Sequence, residues 1–409
     1  MDSIKSEQSF MDKIKGIGLQ KFLAPAALVI IYVFFGIFGR NFFSYTTLVN
    51  ILDSSYYIGF LAIGVTFVII TGGIDLSCGT VMMAAAIIGG TAYKTWGWGM
   101  LASLILIMAV AIAFGFFNGL MVSRLNLPPF IATLGTMMIS MGVGSIVSNV
   151  RSATFPTRSN PDGWFKNYFK YITEDNFSIP TGAIILFGVA IIAFIILTKT
   201  KMGRYIFAVG SNKEAARLSG VDVKKWEMMA YVVSGICSGI GGIAFAAVYT
   251  TVMPAEGQGF ELYAIAGAVI GGTSLSGGIG SVFGTMIGVY IMSVLRAGLP
   301  SMDLQAHYQT FFTGVVVIGA VLLDIYRNKR ASEVKVLTPA DAYKTEMLDK
   351  ISLMKSESAD RSEIKKMRNE MTTTYAAMKK EERAEKIKIK AEEKAAEKAF
   401  HEEMKKKSI

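Results

Sequence analysis

Residues 100–117 read MLASLILIMAVAIAFGFF, which is 18 consecutive positions without a charged side chain. A helix needs roughly 20 predominantly apolar residues to cross the hydrocarbon core of a bilayer. Comparable runs occupy Phe22–Phe38 and Phe311–Leu323, and hydrophobic residues make up 52% of the 409 positions. The 41 glycines suit helices in lipid, where small side chains let backbones approach closely. The sequence therefore predicts an all-α, polytopic transmembrane protein.

Outward from this run, the apolar positions predict about ten membrane segments. They lie at about 22–38, 56–71, 78–93, 100–117, 129–148, 183–197, 228–249, 262–273, 280–298 and 307–325. Together they define a transmembrane domain over residues 22–326. Residues 1–21 are polar and contain lysines, and the segment that follows lacks a small-residue cleavage site, so we expect an N-terminal tail and not a cleaved signal.

The distribution of basic residues predicts the orientation. With both termini in the cytoplasm, 15 Lys and Arg residues lie beside the segments on the cytoplasmic side and 7 lie on the opposite side. Such a bias is the positive-inside pattern of multi-pass membrane proteins. We therefore expect a multi-pass chain with both termini in the cytoplasm.

The region 327–409 differs in character from the apolar part of the chain. Of the last 79 residues, 19 are Lys or Arg and 16 are Asp or Glu. The stretch Lys379–Lys407, rich in Ala, Glu and Lys, favours a solvated helix with many i,i+4 pairs. Apolar residues recur at heptad-like spacing for only two heptads, at Ile364, Met367, Met371 and Met378. We expect a charged, helical or partly disordered cytoplasmic extension.

A charged segment, Glu214-Ala215-Ala216-Arg217-Leu218-Ser219-Gly220, lies between the apolar runs 183–197 and 228–249. The predicted orientation places it in the cytoplasm. Its glycine tolerates left-handed backbone angles and can end a short helix. A short helix with small side chains suits docking into a cleft of another protein. An ordinary solvated helical turn is the alternative.

Two similar motifs interrupt the apolar runs. Gly72-Gly73-Ile74-Asp75-Leu76-Ser77 is matched by Gly271-Gly272-Thr273-Ser274-Leu275-Ser276. Transporters often place Gly-interrupted helices at corresponding positions of two halves, where they line the substrate path. A pair of ordinary turns is the alternative. Both motifs fall on the predicted cytoplasmic side, so either they are re-entrant or the repeat is not inverted.

Polar residues lie within or beside the apolar segments. Asp75 is the most informative, because an intramembrane carboxylate is costly and usually faces a cavity or a partner. Capping of the following helix explains Asp75 equally well. Pro129 suits the first turn of a segment. The other polar residues of this kind are Ser77, Asn118, Thr133, Thr136, Ser274 and Ser276.

The sequence shows no pattern for catalysis, for a metal or for a nucleotide. Cys78 and Cys237 lie in apolar surroundings, and His307 and His401 have no partner at ligand spacing. No Gly-rich loop ends in Gly-Lys-Ser or Gly-Lys-Thr. We expect a chain that is not an enzyme and binds no cofactor, metal or nucleic acid. If the process uses ATP, the nucleotide site belongs to another polypeptide.

From about residue 20 to 330 the chain resembles the ribose-type permeases of bacterial ABC sugar importers. The ordered set of stretches is specific, although each stretch alone is weak. Cys78 departs from the small or apolar residue usual there, and the resemblance does not cover residues 331–409. The stretches are Thr71–Ser77 (TGGIDLS), Asn118–Leu120 (NGL), Pro128–Thr136 (PPFIATLGT), Gly203–Tyr205 (GRY), Gly210–Ala216 (GSNKEAA), Ala264–Ala266 (AIA) and Gly271–Gly278 (GGTSLSGG).

The resemblance implies the permease subunit of an ATP-driven importer in the bacterial inner or plasma membrane. It implies a second permease chain, preferably an identical one, so that the pair forms a homodimer in contact with membrane lipid. It also implies ATP-binding subunits that carry ATP and Mg, and an extracytoplasmic sugar-binding protein. The ATPase-coupling loop would contain Gly203, Arg204, Asn212, Glu214, Ala215, Ala216 and Gly220. The translocation path would be lined by Gly72, Gly73, Asp75, Ser77, Asn118, Pro129, Phe130, Thr133, Thr136, Ser274 and Ser276.

The form of the TGGIDLS stretch favours a monosaccharide over a nucleoside or a branched-chain amino acid. Ribose is the first expectation, and galactose, xylose or an autoinducer-type sugar are alternatives. An ion-coupled secondary carrier is a competing hypothesis, which would commonly hold several buried charges. A membrane scaffold without transport activity is a third, and it leaves the matched glycine motifs unexplained.

Overall fold

The computed structural model describes residues 23–175, 177–332, 339–356, 362–364 and 366–384. The predicted tail at residues 1–21 and residues 385–409 lie outside this range. The described fold is helical apart from a few two-residue strands. The helices are α1 (Leu23–Phe38), α2 (Tyr45–Ile70), α3 (Cys78–Lys94), α4 (Met100–Ser123), α5 (Pro129–Val147), α6 (Lys166–Phe169), α7 (Gly182–Lys199), α8 (Lys201–Ser211), α9 (Lys213–Leu218), α10 (Val223–Tyr249), α11 (Phe260–Ile270), α12 (Val282–Ser301), α13 (Ala306–Ser332) and α14 (Pro339–Ser356).

Each predicted membrane segment coincides with a helix, which confirms the all-α polytopic fold. Seven of the described helices, namely α2, α4, α5, α7, α10, α12 and α13, are long and apolar enough to cross a membrane. The other three are shorter, at 16 residues for α1, 17 for α3 and 11 for α11. At 1.5 Å per residue, α11 measures about 16 Å, which is half of a ~30 Å hydrocarbon core. The segment predicted at 262–273 is therefore not a full span.

Helix α2 forms the centre of the bundle. Every residue of its most apolar 18-residue window is buried, and it packs against α10, α11 and α12. Its sequence is apolar on all sides, as expected for a helix surrounded by protein. Helices α4, α7 and α13 instead expose about two thirds or more of their apolar windows. Their exposed side chains, such as Ile184 at 74%, suit contact with lipid.

Glycines allow a close backbone contact between two spans, α4 and α10. A Cβ added at Gly115 would lie 2.6 Å from the carbonyl oxygen of Tyr231, and one added at Gly235 would lie 2.6 Å from that of Ala111. The two backbones therefore touch directly. This contact is the predicted use of small residues in lipid.

The connection between α5 and α7 folds over one end of the bundle. Its strand β1 (Ala153–Thr154) pairs antiparallel with β4 (Thr251–Val252), which follows α10. Strands β2 (Tyr171–Ile172) and β3 (Ser178–Ile179) form a second antiparallel pair. Lys170 Nζ lies 2.7 Å from Asp53 Oδ2 in the third turn of α2. The connection is thus anchored at the end where α2 begins and α10 ends.

The described residues divide into two compact units between Asn328 and Lys329. In the second unit, α14 and the helical residues 366–384 contact each other. The Ala340 amide donates a 2.9 Å hydrogen bond to Glu382 Oε1, and Lys344 Nζ lies 4.9 Å from the centre of the Tyr375 ring. Met371, one of the heptad-spaced residues, is buried.

Candidate translocation path and coupling surface

The segment Glu214–Gly220 contains the short helix α9, followed by a glycine turn. Asn212 Oδ1 accepts a 2.9 Å hydrogen bond from the Ala215 amide and so caps the first turn of α9. Gly220 has φ +81°, the left-handed angle that ends a helix. Apart from Ala216, all residues from Ser211 to Gly220 are exposed. The sequence pattern therefore forms a capped helix on the surface.

The exposed face of α9 combines an apolar side chain with charges. Leu218, one of the few apolar residues in this segment, is 84% exposed. Glu214 Oε2 and Arg217 Nη2 lie 2.7 Å apart on the same helix. Lys213 Nζ reaches Glu227 Oε1 of α10 at 2.5 Å, which ties α9 to the next span. Helix α9 is thus fixed to the bundle through Lys213 and exposes Leu218 and the Glu214–Arg217 pair on its outer face.

Gly203 and Arg204 have different surroundings. Gly203 lies at the turn from α7 to α8, where an added Cβ would be 2.0 Å from the Leu197 carbonyl oxygen. The Thr200 hydroxyl accepts a 3.4 Å hydrogen bond from the Gly203 amide. Arg204 is exposed. Gly203 thus permits the turn that leads into α8, and Arg204 adds positive charge to the surface.

The two glycine motifs end their helices in the same way. Gly72 after α2 has φ +79°, and Gly272 after α11 has φ +95°. In both turns the glycine amide donates a 2.9 Å hydrogen bond to the carbonyl three residues earlier. A Cβ added at Gly277, just beyond the second motif, would lie 3.0 Å from the Gly72 nitrogen. Both motifs therefore lie at one end of the bundle, and the repeat is not a strict inverted one.

Helix α8 reaches this pair of turns through Gly210, which lies three residues before α9. A Cβ added at Gly210 would lie 1.7 Å from the Ile70 carbonyl oxygen and 2.6 Å from the Gly278 nitrogen. The Gly278 amide donates a 2.9 Å hydrogen bond to the same Ile70 oxygen. We call these contacts of Gly210, Ile70, Gly72, Gly277 and Gly278 the glycine junction. They connect the base of α9 to both motifs, backbone against backbone.

Asp75 is buried and fully engaged inside the chain. Its Oδ1 accepts hydrogen bonds from the amide of Ser77 at 2.9 Å and from its hydroxyl at 2.7 Å. Its Oδ2 accepts one from the Ser234 hydroxyl at 2.6 Å. Asn118 Nδ2 donates to Ser77 Oγ at 2.8 Å. The carboxylate binds Ser77, which precedes the first residue of α3, and so links the start of α3 to α4 and α10. The Ser77 side chain makes no capping hydrogen bond to α3, so Asp75 is held by partners inside the chain without capping the helix.

The predicted residues of α5 flank this network. Pro129 occupies the first turn of α5, as expected from its fixed φ. Thr133 is buried and donates a 2.9 Å hydrogen bond to the Pro129 carbonyl. The Thr136 hydroxyl is also buried, and no described residue accepts or donates a hydrogen bond to it. Phe130 is 52% exposed, unlike the two buried threonines.

Ser274 and Ser276 form a separate cluster around a second buried carboxylate. Asp324 Oδ2, from α13, accepts hydrogen bonds from the Leu275 amide at 3.0 Å and the Ser274 hydroxyl at 3.3 Å. The Ser276 amide donates to Ser274 Oγ at 3.2 Å. Each glycine motif is therefore held by a buried aspartate, the first from its own sequence and the second from α13.

The short helices α3 and α11 begin inside the bundle, next to each other. A Cβ added at Gly79 in α3 would lie 2.6 Å from the Gly257 carbonyl oxygen and 2.9 Å from Glu261 Oε2 in α11. Glu261 is 5% exposed, and its Oε1 accepts a 2.9 Å hydrogen bond from the Gly259 amide. Helix starts that meet at mid-depth are a recurring arrangement around transported substrates.

A polar pocket of about 280 Å³ lies at the opposite end of α2, and Asn50, Asp53, Tyr249 and Arg296 are among its lining residues. Asn50 is exposed and Asp53 is buried, so the pocket extends from the surface into the bundle. It is close in size to the smaller sites that bind metabolites, about 300 Å³.

Arg296 holds its charge in this pocket over aromatic rings. Its guanidinium carbon lies 5.7, 5.5 and 5.5 Å from the ring centres of Tyr57, Phe260 and Tyr263. Cation–π contacts of this kind compensate part of the cost of burying a cation. In the described part of the chain, no carboxylate forms an ion pair with Arg296.

Lys166 is a buried cation in the connection above this pocket. Its Nζ donates a 2.7 Å hydrogen bond to the Thr250 hydroxyl at the end of α10. Burial, and secondarily the nearby positive charge of Arg158, lowers the pKa of Lys166 to about 8. A fraction of this lysine is therefore neutral near physiological pH.

Several buried or half-buried charged residues were not predicted from the sequence, where Asp75 alone was singled out. Arg296 and Asp324 lie inside the predicted segments 280–298 and 307–325. Glu261 and Asp53 lie within three residues of a segment start. Each of these residues places a charge within or beside an apolar run. The same feature identified Asp75 and could have identified them.

The amino-acid sequence matches a known protein family. Residues 47–321 match the family model described as branched-chain amino acid transport system / permease component. The chain is 35% identical over 302 residues to the ribose import permease protein RbsC of Escherichia coli (strain K12), covering 73% of this chain and 91% of that protein. It is 34% identical over 318 residues to RbsC of Bacillus subtilis (strain 168), covering 77% and 95%.

A further relative is the D-allose transport system permease protein AlsC of Escherichia coli (strain K12), 33% identical over 298 residues, with coverage of 73% and 89%. No solved structure matches the chain. The resemblance to ribose-type permeases is thus confirmed.

Proposed function

The chain belongs to the family of branched-chain amino acid transport system permease components, and we propose that it is the membrane subunit of an ATP-driven monosaccharide importer. In this role it forms the translocation path and transmits the work of a separate ATPase. Hydrolysis of ATP, with its Mg, takes place on that partner. The chain itself carries the conformational change.

The observation that carries the proposal is the link between α9 and the glycine junction. Helix α9 exposes Leu218 for a partner, and Asn212 caps its first turn. Two residues before Asn212, Gly210 touches the backbone of Ile70 at the end of the central helix α2. Because packed backbones resist compression, a push on α9 moves the ends of α2 and α8 and the second glycine motif together.

The relatives support a monosaccharide as the substrate class. Two of these relatives are named for ribose and one for D-allose. Both sugars are uncharged and carry several hydroxyl groups. The polar pocket offers such a ligand an amide at Asn50, a carboxylate at Asp53 and a guanidinium at Arg296. These groups match hydroxyls, which both donate and accept hydrogen bonds. Ribose is our first choice among sugars.

The partners follow from the two ends of the bundle. An ATP-binding subunit would contact α9, and an extracytoplasmic sugar-binding protein would contact the connection between α5 and α7. The count of 15 basic residues against 7 supports a cytoplasmic position for α9 and for both termini in the bacterial inner or plasma membrane. A second copy of the chain would complete the path, and lipid would surround the exposed apolar faces.

An ion-coupled carrier is the rival, because Asp75, Glu261, Arg296 and Asp324 are buried or partly buried charges. The three carboxylates accept hydrogen bonds within the chain, and Arg296 lies over aromatic rings. These four charged groups therefore have partners inside the chain, which favours a structural role over ion binding. The rival predicts uptake without an ATPase, which separates the two functions experimentally.

The test compares Leu218→Asp with Leu125→Asp. Leu125 is also exposed, at 63%, and follows α4 close to the start of α10, where Gly119 packs on Met228. Placing a charge in a desolvated interface should lower ATP-dependent D-ribose uptake by about tenfold or more for Leu218→Asp. Leu125→Asp should stay near wild type. Equal uptake by the two variants, with equal insertion, would argue against α9 as the coupling surface.

A further inference from the structure

Residues 253–259 connect β4 with α11 and form neither helix nor strand. Ala255 has φ +56°, Gly257 φ +107° and Gly259 φ +96°. The backbone amides of Ala255, Glu256 and Gln258 donate no hydrogen bond to any described residue. The segment thus carries polar backbone groups that need a partner from outside the described chain.

The segment leads from β4, at the end of the bundle, inward, and Gly257 lies well inside the bundle. A Cβ added at Gly257 would lie 2.6 Å from the Gly79 carbonyl oxygen and 2.7 Å from Met83 Cγ, both in α3. The adjacent Met82 packs on Gly241, where an added Cβ would lie 3.1 Å from its Sδ. Gly241 is eight residues before the end of α10 at Tyr249, which is about 12 Å along that helix.

This level falls within the hydrocarbon core. Helix α10 has 27 residues and is about 40 Å long, so it exceeds a ~30 Å core by about 10 Å in total. A centred α10 therefore extends about 5 Å beyond the core at each end. The level of Gly241, which Gly257 reaches through Met82 and Met83, is about 12 Å from the end of α10 and thus about 7 Å inside the core.

The segment is nevertheless on the surface of the chain. Ala255 and Gln258 are exposed, and Met253 is 58% exposed. Irregular backbone at this depth is not tolerated against lipid, because hydrocarbon cannot satisfy its amides and carbonyls. It is tolerated where it is buried against protein or lines a water-filled cavity, and of these two only the cavity leaves the segment open to a reagent dissolved in water. Contact with lipid is thus excluded for this face on energetic grounds.

We propose that residues 253–259 line the water-filled path of the sugar, with the Gln258 side chain facing it. This assignment rests on the proposed function. The Gln258 amide carries two donor hydrogens and an acceptor oxygen, which can bond to sugar hydroxyls without the long-range attraction of a fixed charge. The starts of α3 and α11 lie directly behind the segment, so movement of either helix changes the width of the path.

Cysteine accessibility tests this assignment on the full chain in membranes. In a background carrying Cys78→Ala and Cys237→Ala, Gln258→Cys and Met253→Cys are labelled with a methanethiosulfonate that bears a quaternary ammonium. The matched controls are Ile191→Cys in α7 and Ile318→Cys in α13. Both positions are exposed, at 58% and 63%, and both lie in the middle of apolar spans.

The path assignment predicts labelling of Gln258→Cys about tenfold or more faster than either isoleucine control, because thiolates form and react in water and not in lipid. Met253→Cys, next to β4 at the end of the bundle, is the positive control for the reagent. Rates equal to those of the isoleucine controls would overturn it. This outcome does not depend on an ATPase or on transport, so it is independent of the proposed function.

Uptake by the assembled importer separates a path from a simple crevice. Attachment of the bulky cation at Gln258→Cys should abolish D-ribose uptake, and Gln258→Leu should lower it about tenfold while Gln258→Asn retains more. Fast labelling with undiminished uptake would overturn the path assignment. Absence of ATP-driven uptake in the unmodified protein would instead refute the proposed function, and labelling would still decide whether the segment faces water.

Discussion

Substitution of Gly210 by alanine tests the glycine junction. The added Cβ would lie 1.7 Å from the Ile70 carbonyl oxygen, whereas an ordinary contact needs at least 3.4 Å. The α8 and α2 backbones must therefore separate by about 1.7 Å. The Cβ would also lie 2.6 Å from the Gly278 nitrogen, so the donor of the 2.9 Å hydrogen bond to Ile70 must move as well. Overpacking of this kind costs about 1–3 kcal/mol, and we expect a loss of that size in the free energy of unfolding.

The assay pairs equilibrium unfolding in detergent with ATP-dependent sugar uptake. The matched control is Gly188→Ala in α7, where an added Cβ meets no atom within 4 Å. Gly210→Ala should lower both the stability and the sugar uptake per inserted molecule. The rate of ATP hydrolysis should fall by a smaller factor than the rate of uptake. Gly188→Ala should change neither. If Gly210→Ala matched Gly188→Ala in both measurements, the close contact at Ile70 would be refuted.

Three further predictions concern the buried polar groups. Asp75→Asn and Ser234→Ala should each cost about 1.5–3 kcal/mol of unfolding free energy, and the double variant should lose less than their sum, because they share one hydrogen bond; additive costs would contradict this. Arg296→Met should lower uptake about tenfold, whereas Arg40→Met, which breaks an exposed ion pair with Asp303, should have little effect; equal effects would remove Arg296 from the polar pocket's function. Burial lowers the pKa of Lys166 from 10.5 to about 8, so the unfolded chain binds more protons between these values and stability should rise with pH there. Melting of the wild type relative to Lys166→Met at pH 7 and pH 10 measures this difference, and an unchanged difference would contradict it.

The positions of the spans and of helix α9 could be predicted from the sequence because their signals are local. Eighteen apolar residues at 100–117 specify a helix of span length wherever it packs. Likewise, Asn212 and Gly220 define the start and end of α9 through bonds within a few residues. For Asp75, the local part of its hydrogen bonding lies within two residues, at Ser77.

The remaining features depend on contacts between distant residues. Ser234, the second partner of Asp75, is 159 positions away, and nothing near either residue signals the pair. The run 262–273 is apolar enough for a span, but the helix has only 11 residues, because an irregular segment precedes Phe260 and the Gly271-Gly272 turn follows Ile270. The contact of Gly79 with Gly257 similarly joins parts of the chain that share no local pattern.

The central claim is that ATP hydrolysis on a partner drives sugar through this chain. The most direct measurement is D-ribose accumulation in proteoliposomes that contain the chain, its ATPase and its sugar-binding protein, with ATP at the side of α9. The account predicts accumulation above the external concentration that requires ATP and persists with a protonophore and a sodium ionophore. Accumulation without the ATPase that an ionophore abolishes would contradict the account and establish the ion-coupled carrier.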